Sequence, residues 1–181
     1  GSQKCLSCPP GLSPVSFSEA AATRILSRKT KVRSWFLDLS LVMAYWQGDG
    51  ARTYHHTAPV NAMYGLHESL VMLHEEGLEA AWARHAAMHQ NLKAGLDRLG
   101  LGLVVEKAYR LPQLNAVQIP SNVSDEAGLR RELLEVHNLE IGAGLGALSG
   151  KVWRIGLMGA SASDDNIKLC LRALQQSLSK V

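Results

Sequence analysis

The chain has 181 residues, 46% of them hydrophobic and 19% charged, with a formal net charge of +3. That is enough for one real core and a small appendage. No apolar run approaches a membrane span, and the short Arg28-Lys29-Thr30-Lys31 stretch reads as a solvated loop, not a nucleic-acid face.

Residues 1–17 are rich in Pro, Gly, Ser and Cys and read as a loop with a short extended piece at Pro14–Phe17. The start does not read as a signal peptide, since it has no basic or apolar region. Ser18 can cap a helix over Glu19–Ser27 by accepting a first-turn N–H. Trp35–Trp46 reads as a buried helix stopped by Gly48-Asp49-Gly50. After Thr53-Tyr54-His55-His56-Thr57, Pro59 suits the first turn of a helix running to about Glu76, with Met63, Leu66, Leu70 and Leu73 on one face. Gly77 breaks it. A second long helix, Leu78–Leu99, carries Leu78, Trp82, His85, Leu92, Leu96 and Leu99 at helical spacing until Gly100.

The period then changes. Gly102–Val105 and Leu114–Ile119 read as strands. Ser124–His137 reads as a helix with Leu129, Leu133 and Val136 inward. Leu139–Ile141 is a short strand, Gly142–Gly150 a glycine-rich loop and Val152–Met158 a strand. Ser163–Ser179 closes the chain as a helix on Ile167, Cys170, Leu171, Leu174 and Leu178. The part after residue 100 is therefore expected to be a compact α+β unit, a small sheet with helices on one face.

Three cysteines, Cys5, Cys8 and Cys170, are too sparse for a disulfide framework and point to a reducing compartment. The cytoplasm is expected, or the peroxisome in a eukaryote, because Ser179-Lys180-Val181 falls one residue short of Ser-Lys-Leu. Cys5-Leu6-Ser7-Cys8 is a C-x-x-C, but Pro9-Pro10-Gly11 follows and forbids the helix a redox motif needs. A zinc site needs a second ligand pair, and His55-His56 are adjacent rather than spaced. A structural loop is the better reading. Gly142-Ala143-Gly144-Leu145-Gly146 is followed by a strand, so it is not a dinucleotide fingerprint, which must open a helix.

Lys4 is either a solvated charge or an amine able to condense with an aldehyde, with small Gly1 and Ser2 leaving room for a bulky group. Arg154 lies in the apolar run Val152–Leu157. It either faces solvent by alternation or faces inward, where a guanidinium needs a partner such as a substrate carboxylate held by two parallel hydrogen bonds. Tyr54 and Thr57 are either a helix-entry loop, with Thr57 as the cap, or hydroxyls for phosphate oxygens.

Several blocks occur in one order. They are Gly1-Ser2-Gln3-Lys4, Pro9-Pro10-Gly11, Tyr54-His55-His56-Thr57-Ala58-Pro59, Glu75-Glu76-Gly77-Leu78-Glu79, Arg110-Leu111-Pro112, Gly144-Leu145-Gly146 and Lys151-Val152-Trp153-Arg154-Ile155-Gly156-Leu157-Met158-Gly159. This pattern resembles the alanine–glyoxylate aminotransferase family, which includes serine–pyruvate and ureidoglycine–glyoxylate aminotransferases, and it covers essentially the whole chain. The resemblance implies the α/β architecture of fold-type-I pyridoxal-phosphate enzymes and a homodimer. It implies that residues 1–58 belong to the large cofactor-binding domain, 59–100 to bridging helices and 101–181 to the small C-terminal α+β domain. Lys4 then matches the lysine that holds pyridoxal 5'-phosphate as a Schiff base, and Gln3 a residue on its phosphate. Tyr54 and Thr57 match phosphate ligands donated across the dimer, and Arg154 the arginine on the substrate carboxylate. His55 and His56 match the pattern with no role carried over.

The reaction implied is transfer of an amino group from a small amino acid, alanine or serine, to glyoxylate or pyruvate, with ureidoglycine as an alternative donor. No nucleic acid, membrane or metal is expected as partner. The resemblance also implies that the family's N-terminal half precedes Gly1, so these residues alone are expected to be inactive. Two rivals stand beside this reading: a cysteine-desulfurase-like lyase, against which Cys170 on an apolar stripe speaks, and a catalytically dead dimerisation module.

Overall fold

The computed structural model describes residues 1–47 and 53–180; the stop expected at Gly48-Asp49-Gly50 lies outside the described residues. Four helices come first: α1 (Glu19–Leu26), α2 (Leu39–Gln47), α3 (Val60–Glu76) and α4 (Leu78–Arg98). Then follow β1 (Leu114–Gln118), α5 (Glu126–His137), β2 (Gly142–Ala143), β3 (Val152–Gly156) and α6 (Asp164–Leu178).

Local chemistry starts the helices where side chains can take the free N–H groups of a first turn. Ser18 Oγ accepts from Ala21 N–H at 3.2 Å, Asp125 from Gly128 N–H at 2.8 Å and Ser163 from Asn166 N–H at 3.3 Å. α2 begins later than expected for the same reason. Asp38 Oδ1 accepts from both the N–H and the hydroxyl of Ser40, at 3.1 and 2.6 Å, and so opens the helix at Leu39. The Ser40 hydroxyl holds the Asp38 carboxyl below its usual range. Trp35, Phe36 and Leu37 are left outside and exposed, and Met43 is the buried apolar residue of α2.

The sheet is antiparallel, in the order β1-β3-β2. β1 and β3 pair with Leu114 opposite Gly156 and Gln118 opposite Val152, and Gly142 of β2 lies opposite Arg154. Two expected strands are corrected. Gly102–Val105 forms a bridge, Leu103 to Val117, because only Val104 N–H and Gly102 C=O reach the edge of β1. Leu139–Ile141 is not a strand. Asn138 takes a left-handed conformation (φ 54°) that caps α5, and pairing begins at Gly142.

The core lies between the second half of α4, the sheet, α5 and α6. Leu92, Leu96, Val117, Leu133, Trp153 and Leu174 are its largest fully buried members. α4 and α6 approach closely at Gly95, where a Cβ would lie 2.1 Å from Leu171 Cδ1, so the Leu171 side chain rests on the bare backbone of α4. Ser177 and Lys180 both donate to Glu132 Oε1, at 3.0 and 2.7 Å. They clip the end of α6 to α5 and hold the Glu132 carboxyl low, with Lys180 the larger cause. Within α5, Leu129 and Leu133 are inward as expected, but Val136 is exposed. The apolar residues of α3 and of the first half of α4 lie largely open: Met63, Leu70, Leu78 and Trp82 are all exposed, Trp82 at 62%.

Trp153, the second residue of β3, is the largest fully buried side chain. Trp153→Ala should destabilise the fold by about 3–5 kcal/mol, measured by urea unfolding.

Candidate functional site

The N-terminal loop is closed on itself and docked at two places. Ser2 is buried. Its Oγ donates to Pro9 C=O and Leu12 C=O, and its N–H to Leu12 C=O. Ser2 therefore braces the loop rather than making room beside Lys4. Pro9 lies against α3 at Gly65, where a Cβ would sit 3.1 Å from Pro9 Cδ.

The second docking place is the turn between β3 and α6. Gly159 has φ +58°, and a Cβ there would fall 1.9 Å from Ser7 Oγ and 2.8 Å from Cys5 C=O. Ala160 N–H donates to Ser7 Oγ at 2.7 Å. α4 grips the same turn from the other side. His85 Nε2 receives Gly159 N–H at 2.9 Å, while Arg84 Nη1 donates to Gly159 C=O and Ala162 C=O at 2.8 and 2.9 Å. Arg84 also pairs through Nε and Nη2 with Glu76, which lowers the Glu76 carboxyl and raises the Arg84 guanidinium. A cleft of about 430 Å³ opens between the Cys5–Ser7 backbone, the α3–α4 elbow and this turn.

Lys4 is exposed and takes part in no ion pair among the described residues. Its carbonyl accepts Ser7 N–H at 2.9 Å, which folds Lys4–Ser7 into a turn. Gln3 is exposed, and its amide folds back to where a Cβ on Gly1 would stand.

Arg154 follows neither simple reading. Strict alternation fails in β3, because Val152, Trp153 and Ile155 are all buried. Arg154 is half-buried, its Nε donates to Ala143 C=O at 2.6 Å, and it makes no ion pair with a carboxylate among the described residues. The guanidinium runs past Gly142, where a Cβ would meet Nη2 at 3.2 Å.

The hydroxyls of Tyr54 and Thr57 are hydrogen-bonded to each other, and both residues are exposed. Thr57 is not the cap of α3: Pro59 holds that position and makes no side-chain capping bond. The histidines between them are structural pins. His55 is buried against Trp35, with ring centroids 4.0 Å apart. Its Nε2 lies 3.0 Å from Trp35 C=O, which can only accept, so Nε2 carries the proton. Nδ1 of His55 then accepts from Nδ1 of His56 at 2.7 Å. Among the described residues, no hydrogen bond links Tyr54 or Thr57 to Lys4 or Arg154.

The cysteines are free. Cys5 is exposed, Cys8 is buried, and burial pushes the Cys170 thiol up to about 11. A thiol so placed is a packing group, not a nucleophile. Among the described residues, no cluster of His, Cys, Asp or Glu could hold a metal ion, and no helix is long and apolar enough to cross a membrane.

The donor set is thus a primary amine, a guanidinium, two hydroxyls and an amide. These fit an aldehyde-bearing phosphate ester together with a carboxylate substrate. No family model matches the chain. It is 44% identical over 180 residues to alanine–glyoxylate aminotransferase of Callithrix jacchus, covering 98% of this chain and 43% of that protein. It superposes on an alanine–glyoxylate aminotransferase from Nostoc sp. with a TM-score of 0.91 and 46% identity, covering 98% of this chain and 46% of that one. With ureidoglycine–glyoxylate aminotransferase of Bacillus subtilis the TM-score is 0.93 at 36% identity, over 99% of this chain and 46% of that one. The chain therefore spans a little under half the length of these relatives.

Two expectations follow from the site. In the folded protein Cys5 should react with a disulfide reagent while Cys170 stays protected until denaturant is added, read by titrating free thiols. Glu76 is held below its usual range, so its support is present above that range and lost as pH falls through its folded value. Urea unfolding should therefore show a low-pH loss of stability that is smaller in Glu76→Gln.

Proposed function

We propose that this chain, which belongs to the alanine–glyoxylate aminotransferase family, supplies the cofactor lysine and the carboxylate-binding arginine of a pyridoxal-phosphate-dependent aminotransferase. The observation that carries the reading is a pair of uncommitted groups. Lys4 has no ionic partner and Arg154 has no carboxylate partner among the described residues. Their elements are tied together through the turn at Gly159, five residues beyond Arg154.

Lys4 Nζ is the covalent anchor for pyridoxal 5'-phosphate, and the Gln3 amide and the Tyr54 and Thr57 hydroxyls are donors for its phosphate. The bound cofactor supplies an aldehyde and a ring that withdraws electrons. Arg154 Nη1 and Nη2 take the substrate α-carboxylate by two parallel bonds, which orients the α-hydrogen. Lys4, once free as an amine, takes the proton from the substrate α-carbon as general base. On this reading the Tyr54 and Thr57 hydroxyls serve the site of a second protomer in a homodimer. Residues 1–58 then belong to the large cofactor domain, 59–100 bridge and 101–181 form the small domain.

The substrates on this reading are alanine or serine as donor and glyoxylate or pyruvate as acceptor. Arg154 reads a carboxylate common to all such donors, ureidoglycine included, so the choice among them lies with other residues.

Borohydride reduction in the presence of pyridoxal phosphate should place the reduced cofactor on Lys4, with loss of the visible absorption band. Lys4→Ala should abolish both the trapping and turnover. A folded wild type of full natural length that takes up no cofactor at Lys4 would instead favour a non-catalytic dimerisation module. Arg154→Gln should lower kcat/KM by roughly 10- to 100-fold, mostly through KM, while trapping at Lys4 persists.

A further inference from the structure

We infer that His85 and Ser7 are positioning residues for Lys4, acting through the turn at Gly159 and Ala160. The inference rests on the proposed chemistry of Lys4, but its test can be read without it. His85 is buried at 5% exposure on the inner face of α4. Its Nδ1 lies 2.6 Å from Ala81 C=O, and a carbonyl can only accept, so Nδ1 carries the proton. Nε2 is left as a lone pair aimed at Gly159 N–H, 2.9 Å away. Both ring nitrogens are thus spent on backbone groups, and a buried leucine could pack here but could not receive that N–H.

Arg84, the preceding residue, holds the carbonyl of Gly159. Consecutive residues of α4 therefore fix both polar groups of one peptide position. The next amide, Ala160 N–H, donates to Ser7 Oγ at 2.7 Å. Ser7 is itself left-handed, φ 59°, a conformation that a serine keeps only when its surroundings impose it. From that conformation its N–H reaches Lys4 C=O at 2.9 Å and closes the turn that carries Lys4. The path from His85 to Lys4 is continuous: imidazole to turn amide, turn amide to hydroxyl, and Ser7 backbone to Lys4 backbone. Among the described residues Lys4 makes no ion pair, so this turn is what fixes the backbone that carries its side chain.

The test compares His85→Leu, His85→Gln, Ser7→Ala and the Ser7→Ala/His85→Leu double variant in the full natural protein. Two readouts are taken: hydrogen exchange of the amides of residues 4–8, with α5 as internal control, and the borohydride-trapped yield of pyridoxal phosphate at Lys4. His85→Leu and Ser7→Ala should each speed exchange at residues 4–8 by about tenfold, leave α5 unchanged and lower the initial rate of trapping by about tenfold. His85→Gln restores an acceptor near Nε2 and should stay within about twofold of wild type. The double variant should be no worse than the worse single, because the two act in series.

Unchanged exchange at residues 4–8 in the folded single variants, or failure of glutamine where leucine also fails, overturns the inference. Should His85→Leu not fold, exposed Ser7→Ala carries the test alone. A wild type that traps no cofactor at Lys4 defeats the proposed function, and the exchange data then decide the positioning role by themselves.

Discussion

The whole lysine side of the molecule depends on one backbone position, Gly159. Its positive φ turns the chain from β3 into α6, and the absence of a Cβ lets the Cys5–Ser7 backbone lie directly on it. Its N–H and C=O face α4, where adjacent residues of different chemistry, an acceptor imidazole and a donor guanidinium, take them. A turn that exchanged either partner for water would still connect β3 to α6. It would no longer present Ala160 N–H to Ser7 at a fixed height.

The C-terminal half of the fold was largely legible in the sequence. The second half of α4 and the apolar stripe of α6 lie where their periodicity puts them, because there apolar spacing and burial coincide. Trp35 and the apolar face of α3 misled, since a stripe of large apolar residues looks the same whether it faces a core or lies open. Gly102–Val105 has the composition of a strand but only an edge to pair with, and pairing depends on a partner that local sequence does not name. Of the candidate site, Lys4, Gln3, Tyr54, Thr57 and Arg154 were singled out by motif resemblance. His85 was read only as one apolar-face position, because its partner Gly159 is 74 residues away and periodicity carries no information at that range.

Energetically the chain is lopsided. The contiguous core draws on residues from Leu92 onward, whereas before α4 the buried apolar residues are Cys8 and Met43. Exposed Trp35, Phe36, Trp46, Tyr64 and Trp82 make the earlier part rich in surface that water solvates poorly. Hydrogen bonds, rather than burial, therefore place the Lys4 loop, and directed bonds set an angle where an apolar contact would set only proximity.

The contact between Ser7 and Ala160 spans 153 residues, and this separation has a consequence on the ribosome. At roughly 5–20 residues per second, the lysine loop is synthesised some 8 to 30 seconds before the turn it docks on. Throughout that interval Ser7 lacks its partner on the turn, although Pro9 already has α3 to rest on. The loop that carries Lys4 can therefore take its place on this turn only after residue 160 has been made.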